Sequence, residues 1–214
     1  MRWVVFALAL ALAGPAFAQG TEAAPQAAPA SIAIGMIEHA EADGVFELVH
    51  DSHATVRHVG SGLVCRFDDE GDGGRLILYP NLPRGDDVAC DWNDGREFTT
   101  IYATRYPFNS TLQEQIDGAT AAIRNRFGDA VAMPAPTAPA ADDGLPTRRT
   151  ARFIVMREGQ RYYTRASVAR IGSWIIKLRH SAPAPDDAAA VEADERADAL
   201  FSGALNGILN PPAR

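Results

Sequence analysis

Between Leu112 and Phe127 the hydrophobic period of this 214-residue chain changes, and that change limits the folds open to it. Leu112, Ile116, Ala119, Ile123 and Phe127 recur at steps of three and four, the spacing of one helix face. Ser110 followed by Gln113 has the form of a capping box, and Gly128 is placed to end the helix in the left-handed conformation. On either side the period is two. Strands are expected at 45–49, 54–59, 63–67, 75–79, 88–92 and 97–106, and again at 149–157, 161–170 and 174–180. A second helix closes the chain at about 187–209, with Ala197, Leu200, Ala204 and Ile208 on its buried stripe. Strands in runs, with helices segregated between and after them, predict an α+β fold. It has a largely antiparallel sheet, with a mid-chain helix and a C-terminal helix packed on it.

The only two cysteines, Cys65 and Cys90, lie in expected strands. Leu63, Cys65 and Phe67 share one strand face, and Val88, Cys90 and Trp92 share another. Each thiol is thereby aimed at a core, and a disulfide between neighbouring strands of one antiparallel sheet is expected. Such a bridge stabilises by roughly 3–4 kcal/mol in the chain-entropy account. The spacing of Cys and His does not match a zinc finger, and there is no C-x-x-C redox pair.

An oxidising compartment is consistent with the N-terminus. Residues 1–18 show Arg2, an apolar run from Trp3 to Ala13, and Ala16-Phe17-Ala18, the three-part pattern of an export signal. Cleavage after Ala18 is expected to leave a disordered Ala/Pro/Gln-rich leader at 19–32 and a single α+β domain at 33–210, with an Ala/Pro-rich loop at 129–147. No segment of the mature chain reads as a transmembrane helix. The expected location is the bacterial periplasm. The whole chain carries a formal charge of −7. Net acidity and export together argue against a nucleic-acid partner.

The chemistry-bearing residues are sparse. His50-Asp51-Ser52-His53 holds the residue types of a hydrolase triad, but adjacent residues do not converge as a triad must. Asp68, Glu70, Asp72 and Gly73 imitate the start of a calcium loop, yet Tyr79 stands where its bidentate glutamate belongs. No metal and no cofactor are expected. The basic stretch 148–179 is the sharpest electrostatic feature. Arg161, Tyr163 and Arg165 share one strand face, and Lys177 and Arg179 are expected on the matching face of the next strand. Arg161, Arg165, Lys177 and Arg179 are therefore candidates for an anion site, unless the acidic closing helix neutralises them.

The order of elements, the mid-chain helix, the strand Gly172-Ser173-Trp174-Ile175-Ile176-Lys177-Leu178-Arg179-His180 and the closing helix resemble the Mog1/PsbP-like fold. That resemblance covers roughly 44–209 and implies a small exported protein of a group that includes many with no known role. It transfers no functional residue. The expected function is a non-catalytic binding or envelope-support module, with another envelope protein as its partner. The alternatives are an enzyme with dispersed residues, and an anion- or membrane-surface-binding module. A cleft joining His58 or His180 to a carboxylate and a hydroxyl would favour the enzyme.

Overall fold

A computed structural model describes residues 28–67, 73–134 and 144–211. The stretch read as an export signal at 1–18, most of the stretch read as a leader, the acidic segment at 68–72 and the middle of the expected long loop lie outside the described residues. The described residues form an α+β fold with three helices and two antiparallel sheets.

The first helix, α1 (Pro29–His39), was not expected from the sequence, and its first four residues fall in the stretch read as leader. Proline at its first turn needs no backbone donor, and Ala33 and Ile37 are buried. It packs on β1 (Phe46–His50) and β2 (Ala54–His58), which with β3 (Val64–Phe67) form a three-stranded sheet. The turn between β1 and β2 is held by Asp51, whose Oδ1 accepts from the His53 backbone at 2.6 Å and from Thr55 Oγ1 at 2.9 Å.

The larger sheet has β4 (Gly74–Leu78), β5 (Asp87–Asn93), β6 (Phe98–Thr104), β7 (Val131–Ala132), β8 (Arg148–Arg157), β9 (Gln160–Ile171) and β10 (Trp174–Pro183). Its spatial order is β4-β5-β6-β10-β9-β8-β7. The last strand thus enters the middle and joins the two halves of the chain. Asp94 caps the β5–β6 turn, accepting from Arg96 N and Glu97 N. Glu158 and Gly159 both have positive φ, as a two-residue hairpin between β8 and β9 requires.

Helix α2 (Leu112–Arg126) lies across β8 and β9 and buries Ile116, Ala119 and Ile123 against Phe153, Val155 and Val168. Its start is one residue later than the sequence suggested. Thr111 is the N-cap, accepting from Glu114 N at 3.1 Å, while Glu114 reaches back to Thr111 N at 2.7 Å. Phe127, in an extended conformation, ends it, and Gly128 is not left-handed. Helix α3 (Asp187–Leu209) covers the opposite face over β9 and β10. Phe201 and Leu205 fill its core side, whereas Leu200, expected there, is 45% exposed.

Cys65 and Cys90 are joined by a disulfide with a Cα–Cα distance of 6.2 Å. The bridge does not run within one sheet, as expected, but from β3 of the small sheet to β5 of the large one. Beside it Phe67 stacks on Trp92 at 5.2 Å, and Trp92 Nε1 donates to Arg66 O. A Cβ at Gly74 would stand 2.5 Å from the Phe67 ring, so glycine permits the sheets to approach there. No described helix is long and apolar enough to cross a membrane.

Candidate functional site

The register of the large sheet sorts its side chains into two faces. On the face toward α3, one cross-strand row runs Trp92, Thr99, His180, Arg165, Arg152. On the opposite face another runs Arg75, Asp91, Thr100, Arg179, Ala166. The candidate basic residues are therefore divided. Arg161 and Arg165 face α3, while Lys177 and Arg179 face the other way. The expected shared face is corrected by the turn Gly172-Ser173, which pairs Ile171 with Trp174 and so sets Arg165 opposite His180.

Arg165 is 1% exposed. Its guanidinium donates to Asp194 at 2.9 Å, to Asp198 at 2.7 Å and to Ser167 Oγ at 2.7 Å. Arg152 reaches the same Asp194 oxygen at 2.8 Å, and Tyr163 donates its hydroxyl to it. Arg161 donates to Ala184 O at 2.7 Å and pairs with Asp187. The acidic helix thus neutralises this face of the sheet. Burial alone would raise the Asp194 carboxyl, but the bonds from Tyr163 and Arg152 and the Arg165 charge hold it below the usual range.

The other face is only half covered, because α2 sits over β8 and β9. Beside it, over β4, β5, β6 and β10, a groove of about 360 Å³ remains open. Arg75, Thr100, Tyr102 and Arg179 rise from the sheet, while Arg126 and Phe127 come from the end of α2. Arg157 and Tyr162 complete the wall. Strands stand about 4.8 Å apart, so Arg75 and Arg179 are separated by about 14 Å across the floor. Asp91 between them is already engaged, by Arg75 Nε at 2.8 Å and Thr100 Oγ1 at 2.5 Å. The Arg157 guanidinium lies over Phe98 at 4.6 Å and Tyr162 at 5.9 Å. Lys177 lies over Tyr102 at 5.2 Å. Burial, and then repulsion from Arg179, lowers the Lys177 ammonium below its usual value, with Asp87 opposing.

The histidines stand elsewhere. His58 is 1% exposed, with Nδ1 2.8 Å from Ser61 Oγ and its ring between Phe46 and Trp174. His180 is also 1% exposed, with Nδ1 2.9 Å from Thr99 Oγ1. His53 Nδ1 lies 3.1 Å from Ser52 Oγ in an exposed turn. Among the described residues no group of three His, Cys, Asp or Glu is arranged to hold a metal.

Sequence reasoning reached Lys177 and Arg179 but missed Arg75, Thr100, Tyr102, Arg126 and Arg157 as their neighbours. The alternation of Phe98, Thr100 and Tyr102 was available as a signal. What it lacked was the pairing of β6 with β10, about eighty residues away in sequence.

The chain matches no protein-family model and no curated protein. Among solved structures it is similar to LpqN of Mycobacterium tuberculosis, described as involved in cell envelope biogenesis. The TM-score is 0.37 at 10% identity, over 60% of this chain and 76% of that one. It is also similar to the immunity protein TplEi of the T6SS of Pseudomonas aeruginosa, solved with an "L" peptide. There the TM-score is 0.34 at 11% identity, over 77% of this chain and 80% of that one.

Proposed function

We propose that this protein is an exported, non-catalytic binding module of Mog1/PsbP-like architecture, working in the bacterial periplasm through the groove beside α2. The observation that carries the reading is that the histidines stand away from the concave surface. His58 and His180 are sealed in the core, and neither histidine nor cysteine lines the groove. What lines it is a set of guanidinium groups, phenol rings and hydroxyls on regular elements, which suits recognition. The inter-sheet disulfide and the signal-like residues 1–18 support export.

Ala122 of α2 lines the groove, and Ala122→Trp fills it from the helix side. Wild-type and Ala122→Trp protein, purified from the native envelope, are compared by native mass spectrometry. The expected result is processing after Ala18 in both, and a co-purifying ligand or envelope protein lost only from the variant. Retention of that companion by Ala122→Trp overturns the groove as the binding surface. Turnover of ester, amide or phosphoester probes by wild type, abolished in Ala122→Trp, overturns the non-catalytic reading.

A further inference from the structure

The two faces of the large sheet treat their cations differently. Toward α3, Arg152, Arg161 and Arg165 each meet a carboxylate at hydrogen-bond distance. Toward the groove, Arg126 and Arg179 have no carboxylate partner among the described residues. Arg157 approaches only Glu158, at 3.9 Å, and that carboxylate is 86% exposed. The Arg179 Nε is sealed from solvent without a hydrogen bond. A buried charged donor left unmade is costly, and Lys177 two residues away on the same face adds repulsion. Among the described residues the one carboxylate in the groove is Asp91, already taken by Arg75 and Thr100.

The aromatic rings define how an anion would be met. Phe98 and Tyr162 hold the Arg157 guanidinium beside their rings without accepting its N–H donors, which remain for a ligand. In-plane donors match the two oxygens of a carboxylate or phosphate.

Resting on the groove as the binding surface, we propose that its ligand is a small soluble molecule with two or more anionic oxygen groups, carboxylate or phosphate, held by Arg126, Arg157 and Arg179. Three cations from three elements outnumber what one negative charge offsets. Arg179 rises from the sheet floor beside the wall made by α2, where a flat lipid surface does not reach. A bound polyanion also relieves the repulsion between Lys177 and Arg179.

The test uses the disulfide-intact mature protein at constant ionic strength. Calorimetry measures citrate and pyrophosphate against acetate and inorganic phosphate, with phosphatidylglycerol vesicles in a separate arm. Citrate or pyrophosphate is expected to bind about tenfold or more tightly than acetate. Arg179→Gln and Arg126→Gln each weaken that binding about tenfold, and Arg149→Gln on the exposed part of β8 does not. Arg126 is exposed at a helix end, so its variant folds irrespective of the fate of Arg179→Gln. Without ligand, Arg179→Gln keeps or raises Tm, because an uncompensated charge is removed. Equal binding of mono- and polyanions, affinity unchanged in both variants, or binding to vesicles alone overturns the proposal. A neutral companion lost from Ala122→Trp would sink this inference while leaving the groove itself standing.

Discussion

His58 and His180 are histidines that the fold keeps neutral. Burial is the first cause for each and moves its pKa down to about 4 from 6.5. His180 also carries an Nε2 with no hydrogen bond. A histidine whose folded pKa is depressed contributes stability above its unfolded value, and that stability is lost as pH falls toward the folded value. Asp194, held low by Tyr163, Arg152 and Arg165 against the pull of burial, acts in the same direction at still lower pH. The urea midpoint is therefore expected to fall between pH 7 and pH 4, each histidine withdrawing up to about 3 kcal/mol. A midpoint flat from pH 7 to pH 5 contradicts this. At this scale the sequence revealed faces but not partners. Leu178 and His180 lie on one side of β10 by simple alternation. That His180 also lies opposite Arg165 follows from a two-residue turn, which pairs an odd-numbered residue with an even-numbered one.

Among the elements, α2 was legible because five apolar residues repeat at helical steps and its start carries capping chemistry. The cap itself was ambiguous. Ser110 with Gln113 and Thr111 with Glu114 both fit the same template, and only the second pair closes. Thr111→Ala is expected to cost about 1 kcal/mol in chemical denaturation, and a change near zero would show the cap to be idle. Helix α1 was not legible. Eleven residues are too few to be helical on propensity alone, and α1 exists because Ala33 and Ile37 find the small sheet. In α3, Ala197 and Ala204 belong equally to a stripe through Leu200 and to one through Phe201. The larger ring took the core.

At the scale of the molecule, the α+β class and the pairing of Cys65 with Cys90 were legible, since strand runs and inward-facing thiols are local facts. The split into two sheets was not. The expected strands at 63–67 and 75–79 are consecutive, but β3 pairs with β2 and β4 with β5. The closed segment between the cysteines has a sequence separation of 25, for which chain entropy gives about 3.5 kcal/mol. Reduction, or a Cys65→Ala and Cys90→Ala double change, is expected to lower unfolding free energy by about that amount, with the far-UV circular dichroism retained. An unchanged urea midpoint counts against a bracing role. Neither sulfur has its mate within its own sheet, so the thiols meet only once the two layers have come together. Oxidation then latches a docking already achieved, and does little to steer the chain toward it.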